Sequence, residues 1–465
     1  MFPSLLIEAH KLTPQGTFAQ NLAKFLEPDM GTVQQIQTLL TEKSVGLVAH
    51  YYMDSEIQGV LRHLNYPHIH IADSLQMGNA AIGMAKTGVK HIVVMGVDFM
   101  SENIRALLDA NGFSHIPLYR LRTEEIGCTL ASAAEKKEYL AYLTKAAQHK
   151  PALHVIYVNT GIHIKGQAQK IIPTITCTSS NVVKLILQAY AQIPDLHIAF
   201  GPDTYMGRNL YALLHYYSEL SDSEIKKIHP QHSQKSLREA LKRFDFFKQG
   251  RCYVHEMFGE TLVNKIKKDY PEALMSAHLE VPGEMFELAH DAAKKDRGVV
   301  GSTSNILDFI IKKIENSAAQ NKIQFILGTE SGLASGMISE VQKHLKLNPS
   351  TSSGTARSVE IIFPVAEEAV TETHHKDHLG FDLMPGVSAG DGCSINGSCA
   401  DCQFMKMNSL DALVDLLKKI GQTDLKNFYP KVSEQDDELT LQGTQTILAM
   451  QEFQKTGKIN GTFFV

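Results

Sequence analysis

From Val45 onward, short apolar runs rich in β-branched residues alternate with stretches of helical pattern, and this alternation constrains the fold more than any other feature. Val45–Ala49, Ile69–Ala72, Ile92–Gly96, Val155–Val158, Ile198–Phe200, Ala273–Ser276, Val299–Gly301 and Phe325–Leu327 each read as a strand buried on both faces. Helical patterns such as Gln76–Lys86 and Asn181–Ala191 lie between them. Repeated strand–helix units build parallel sheets with helices on their faces, so the expected class is α/β.

Polar residues collect where these strands end. His50-Tyr51-Tyr52, Asp73-Ser74, Asn159-Thr160, Gly201-Pro202-Asp203, His278-Leu279-Glu280, Ser302-Thr303-Ser304 and Gly328-Thr329-Glu330 all follow an apolar run. Open parallel sheets bind ligands just beyond the carboxyl ends of their strands. Any one of these positions alone is also a helix N-cap, where Ser, Thr, Asp and Asn satisfy backbone N–H groups. The set as a whole points to several sheets facing one shared site.

The net charge of −5 comes with no basic stripe, so nucleic acid is not an expected partner. No apolar run approaches the ~20 residues of a membrane span, and no basic segment precedes an apolar one at the N-terminus, so neither a membrane nor secretion is expected. Residues 1–40 read as a helical extension. Segments 218–249 and 347–390 read as insertions, the second holding the run His374-His375-Lys376-Asp377-His378, which reads as a solvated loop. A helix over Leu410–Ile420 leads into a polar tail.

The chain has 6 cysteines, placed unlike a disulfide scaffold, which suits a reducing cytoplasm. Cys393, Cys399 and Cys402 crowd together, whereas Cys128, Cys177 and Cys252 stand alone. The pair Cys399/Cys402 could belong to a zinc site, a redox pair or one corner of an iron–sulfur cluster. A zinc ribbon needs a second local pair, which the sequence lacks, so Cys402 reads as joining two distant cysteines around one cluster. Two other readings stand beside this one. An iron–sulfur hydro-lyase of the aconitase type would also need an open iron. A non-enzymatic zinc protein would use Cys393, Cys399, Cys402 and a histidine.

In order along the chain, Ala49–Tyr52 (AHYY), Asp73–Leu75 (DSL), Gly96–Glu102 (GVDFMSE), Tyr157–Thr160 (YVNT), Thr178–Asn181 (TSSN), Gly201–Asp203 (GPD), Gly250–His255 (GRCYVH), His278–Glu280 (HLE), Gly301–Ser304 (GSTS), Gly328–Glu330 (GTE) and Cys402–Asn408 (CQFMKMN) resemble the quinolinate synthase family. Each fragment is weak alone; the ordered set is specific. The resemblance implies three similar αβα-sandwich domains with mainly parallel sheets around a pseudo-threefold axis and a central [4Fe-4S] cavity. The corresponding ranges are 41–130 with 391–465, then 131–250, then 251–346.

The family pattern carries over to Cys128, Cys252 and Cys402 as the cluster ligands, leaving one iron open as a Lewis acid. Cys177, after an apolar run, reads as a buried thiol. The implied reaction condenses iminoaspartate with dihydroxyacetone phosphate to quinolinate, phosphate and water, in NAD biosynthesis. An aspartate-oxidising enzyme would supply the iminoaspartate. By resemblance His50, Ser74, Tyr157, Asn159, Ser179, His278, Glu280 and Thr303 line the substrate, and Tyr52, Glu280 and His278 are catalytic, Tyr52 as acid and Glu280 as base.

Overall fold

The continuous apolar runs do become strands, most of them buried, although Ile69–Ala72 and Gly298–Gly301 are only partly so. The structure, a computed structural model, describes residues 1–256, 258–317, 322–330, 332–347, 357–365, 402, 404–422, 424–431 and 437–460. The chain opens with β1 (Ser4–Ile7) and β2 (Leu12–Gln15). Next come β3 (Val45–His50), β4 (Ile69–Ala72), β5 (His91–Met95) and β6 (Leu118–Arg120), which form one sheet in the order β4-β3-β5-β6. β7 (Ala152–Tyr157), β8 (Thr174–Cys177), β9 (His197–Gly201) and β10 (Phe244–Phe246) form a second, ordered β10-β9-β7-β8. β11 (Leu274–His278), β12 (Gly298–Gly301), β13 (Lys322–Gly328) and β14 (Ser358–Ile362) join the first two strands in a third, ordered β12-β11-β13-β14-β1-β2. Helices separate most successive strands, so the architecture is mixed α/β with mainly parallel sheets.

The chain divides into two compact units. One comprises Met1–Val45, Ala49–Ile71 and Tyr253–Asp424; the other Gly46–Val48, Ala72–Cys252 and Leu425–Val465. In the first, β11 to β14 run parallel and β1 and β2 add an antiparallel hairpin. Its core packs Ile306, Ile310 and Ile314 of helix Thr303–Glu315 and Met337, Ile338 and Val341 of helix Gly332–Leu347 with Phe325, Leu327, Val359 and Ile361 of the sheet. Each such side chain removed from water contributes about 1.5–3 kcal/mol before the entropy of ordering is subtracted. In the second unit, Tyr139, Leu143, Ile156, Ile164, Ala168 and Phe247 form a separate core.

Several expectations need correction. Residues 1–40 are not simply helical: the β1–β2 hairpin precedes helices Thr17–Phe25 and Met30–Lys43. Leu5 and Ile7, two residues apart, point into the core, which is the period of a strand. Leu5 pairs with Ile361, a partner far away in sequence. Segment 218–249 does not stand outside the fold, because its last residues form β10, parallel to β9. Val359–Val365, expected within a loop insertion, begins with β14, parallel to β13. The expected polar tail contains a helix, Asp437–Thr456, whose Ile447, Met450 and Phe453 are buried. Cys393, Cys399 and the run His374–His378 lie outside the described residues.

Candidate active site

In the first unit the carboxyl ends of β11, β12 and β13 lie side by side. His278 pairs with Gly301, and Ala277 with Gly328. Their continuations, His278-Leu279-Glu280, Ser302-Thr303 and Thr329-Glu330, therefore meet at one edge. Ser302 caps helix Thr303–Glu315 in a reciprocal capping box with Asn305, so its polarity serves the backbone. His278 and Glu280, beyond the end of β11, are 1% and 2% exposed.

A third imidazole joins them. His255, on the short helix Tyr253–Glu256, is 1% exposed. Its Nδ1 lies 3.4 Å from Glu280 Oε2, and His278 Nδ1 lies 3.8 Å from Glu280 Oε1. The two imidazole rings are nearly parallel, 10° apart with centroids 6.0 Å apart. Burial pushes the pKa of His255 down to about 3 and that of His278 to about 4, so both rings are neutral near pH 7. With both rings neutral, their approach to the Glu280 carboxyl group is not an ion pair. Both ring nitrogens of His255, Nδ1 of His278 and Oγ1 of Thr329 are buried with no hydrogen-bond partner. Buried polar atoms are nearly always paired, so this concentration of orphans marks a place built to receive a ligand.

The turn after β3 belongs to the same unit. His50 is buried, and its pKa is pushed down to about 3 by burial, with His278 adding to the effect. Its ring stands edge-on to Tyr52 at 4.7 Å, and its Nδ1 accepts from the Tyr52 backbone N–H at 3.2 Å. Tyr52 itself is half-buried. Gln58 holds this turn: its Nε2, with two N–H groups, lies within hydrogen-bond distance of the carbonyls of Tyr51 (2.7 Å), Met53 (2.8 Å) and Gly332 (2.6 Å), which share them. Gly332 has to be glycine, because a Cβ there would come within 2.9 Å of Tyr52 Cα. The backbone N–H of Cys402 donates to Glu330 Oε1 at 3.2 Å, so Cys402 is tied to the end of β13. Glu330 received no role in the sequence analysis; its place in the GTE fragment was the available signal.

The other expected substrate residues lie in the second unit. Ser74 opens helix Ser74–Lys86, where Asp73 caps by accepting from the N–H groups of Leu75 (3.0 Å) and Gln76 (2.8 Å). Tyr157 ends β7, and Asn159 follows it half-buried. A buried lysine that the sequence analysis missed fixes this loop. Lys165 Nζ donates to Val158 O (3.1 Å), Thr160 Oγ1 (2.8 Å) and Thr160 O, and Thr160 Oγ1 donates to Tyr157 O (3.1 Å). Ser179 lies half-buried in the turn before helix Val182–Gln192, where Asn181 Oδ1 accepts from Thr178 N–H at 2.9 Å.

Cys128 and Cys252 in the second unit and Cys402 in the first are half-buried, whereas Cys177 is fully buried with its thiol pushed well above its ordinary pKa. Thiolate is the metal-binding form, so each of these partly exposed cysteines is by itself better suited to serve as a metal ligand than Cys177. The approach to Cys128 is clamped by Asp98, whose carboxylate accepts from Arg120 Nη1 (2.7 Å) and from Ile126 N–H (3.3 Å). Cys128 also lines a cavity of about 300 Å³ with Asp98, Glu102, Glu125, Glu135 and His163. Among the described residues no helix is long and apolar enough to cross a membrane.

Residues 34–363 match a family model described as quinolinate synthetase A protein. The chain is 46% identical over 473 residues to the chloroplastic quinolinate synthase of Nicotiana tabacum, covering 99% of this chain and 65% of that protein. It is 44% identical to the chloroplastic quinolinate synthase of Arabidopsis thaliana, over 97% of this chain and 65% of that one. A quinolinate synthase of Prochlorococcus marinus (strain MIT 9313) is 28% identical over 84% of this chain and 85% of its own. The chain thus spans about two thirds of the length of these plant relatives. Their chloroplastic names run against the cytoplasmic location expected above. The family match spans the buried His255, His278 and Glu280 together with the His50-Tyr52 turn, and on that agreement the chain belongs to the quinolinate synthase family.

Proposed function

We propose that this chain condenses iminoaspartate with dihydroxyacetone phosphate to form quinolinate, phosphate and water. The observation that carries the reading is the carboxyl group of Glu280, buried beside His255 and His278, where both ring nitrogens of the first and Nδ1 of the second have no hydrogen-bond partner. A buried carboxylate in such a setting is suited to take a proton from a carbon acid. In this reading Glu280 is the base, and His278 holds the group being deprotonated. Tyr52, its backbone N–H fixed by His50, turns its hydroxyl to the departing oxygen as acid. His50 and Thr303 bind substrate oxygens in the first unit; Ser74, Tyr157, Asn159 and Ser179 do so in the second.

Cys128, Cys252 and Cys402 are the residues that would hold the cofactor, a [4Fe-4S] cluster. Bound by three thiolates, a cluster supplies a Lewis-acidic iron with a position left for a substrate oxygen. The division into three αβα domains belongs to the same reading, with one sheet for each. So does an aspartate-oxidising enzyme as supplier, since an imine of this kind hydrolyses in water. For location, the names of the plant relatives favour a plastid over the cytoplasm.

A phosphate-release assay on anaerobically purified protein tests the reaction. Release from dihydroxyacetone phosphate that requires iminoaspartate supports the condensation. Activity on a hydroxy acid with no phosphate released would instead favour the aconitase-type alternative.

A further inference from the structure

We propose that Lys165 is a positioning residue for the reaction, setting Asn159 in place to bind substrate. The inference rests on the condensation reading above, in which Asn159 binds a substrate oxygen. Lys165 is fully buried on helix Ile162–Ile171, and no other lysine among the described residues is buried. Burying an ammonium group is costly unless every N–H is satisfied. Here each one is. The three N–H groups meet three oxygens: Val158 O at 3.1 Å, Thr160 Oγ1 at 2.8 Å and Thr160 O. Two of these oxygens are the carbonyls on either side of Asn159.

Asn159 is where the chain leaves the sheet. Tyr157 ends β7 and pairs with Cys177 of β8, and Val158 N–H donates to Cys177 O at 2.9 Å. Asn159 lies one residue beyond these bonds. Thr160 N–H then donates back to Val158 O at 2.7 Å, which closes a three-residue turn with Asn159 at its apex. A turn of this size has one backbone hydrogen bond of its own, and Lys165 grips both of its arms. The helix that carries Lys165 is itself anchored. Glu102 Oε2 accepts from Ile162 N–H at 3.1 Å at its first residue. Helix Asp437–Thr456 packs along it so closely that neither Gly166 nor Gly443 has room for a Cβ. Lys165 therefore acts on substrate through Asn159, whereas Tyr157 is held by its strand.

A double-mutant cycle tests this, with KM and kcat for each substrate measured in quinolinate formation. Asn159→Ala removes the amide, and Lys165→Met removes the ammonium at nearly constant volume. Lys165→Met alone should raise KM for the same substrate as Asn159→Ala does, with kcat near the parent value. The rise should be roughly three- to tenfold, the worth of one hydrogen bond. In the Asn159→Ala background, Lys165→Met should change KM by less than about twofold, because the side chain it positions is gone. Lys165→Gln, whose amide offers two N–H groups, should fall between the parent and Lys165→Met. Every variant is purified anaerobically with its cluster absorbance and melting temperature recorded. Additive effects of the two substitutions overturn the proposal, as does an unchanged KM in Asn159→Ala or a fall in kcat with KM intact in Lys165→Met. Failure of both Lys165 variants to fold also overturns it, since Lys165 would then serve stability alone. A parent chain that forms no quinolinate refutes the reaction itself, and the positioning with it. A parent that forms quinolinate while the cycle is additive refutes the role of Lys165 alone.

Discussion

Glu280→Gln changes the reacting group and little else. Gln has the same shape as Glu, and the pocket holds the side chain between His255 at 3.4 Å and His278 at 3.8 Å. The neighbours are neutral rings, so replacing the carboxylate by an amide leaves no buried charge stranded. The fold should therefore keep its stability to within about 1 kcal/mol. Catalysis should not survive so well. A general base contributes about 10²–10⁴-fold, and each factor of ten is about 1.36 kcal/mol of barrier, so the loss amounts to about 3–5 kcal/mol. The assay is anaerobic formation of quinolinate under saturating substrate, with cluster absorbance checked in the same samples. A fall of at least a hundredfold in kcat, with unchanged absorbance and melting, is expected. Full activity in Glu280→Gln would remove Glu280 from the proton transfer and with it the reading of this pocket as the reacting centre.

Tyr52→Phe keeps the ring beside His50 and loses only the hydroxyl, so kcat should fall while KM holds; a raised KM with intact kcat would make Tyr52 a binding residue. Gln58→Leu removes the amide that ties the Tyr51, Met53 and Gly332 carbonyls together and should cost about 1–3 kcal/mol in thermal denaturation, the worth of one or two buried hydrogen bonds. Burial lowers the pKa of Lys165 from 10.5 to about 7, so between these values the unfolded chain binds more protons than the folded one, and stability should rise with pH across that window and level off below it. Lys165→Met should flatten that rise in denaturant titrations at several pH values. In single Ser variants purified anaerobically, loss of iron is expected for Cys128, Cys252 and Cys402 and retention for Cys177, with Cys393 and Cys399 also retaining it.

The sequence made the parallel strands legible because burial on both faces leaves an unbroken apolar run, as in β3 and β7. The hairpin β1–β2 was misread because four-residue strands carry only two inward positions each, too few to outvote a helical pattern. β6 and β10, at three residues, fall below any periodic signal. Helix Asp437–Thr456 read as a polar tail because its apolar stripe is diluted by Gln, Thr and Glu. At the site, Asp73, Asp203 and Ser302 proved to be helix caps, as residues of their type often are. His278 and Glu280 proved to be buried at the end of β11. Lys165 could not be weighed from sequence, and His255 stood out only as the neighbour of Cys252 in the GRCYVH fragment. What makes each unusual is its surroundings: three oxygens held by one buried amine, and two ring nitrogens left waiting beside a carboxylate from another strand.

The central claim is most directly tested by product identity. The chain, purified without oxygen, is mixed with dihydroxyacetone phosphate and iminoaspartate generated in place, and quinolinate is measured by mass spectrometry beside released phosphate. The account predicts quinolinate and phosphate in equal amounts, both absent when either substrate is withheld. Cluster-loaded protein that releases no quinolinate under these conditions, or that releases phosphate without it, would contradict the account.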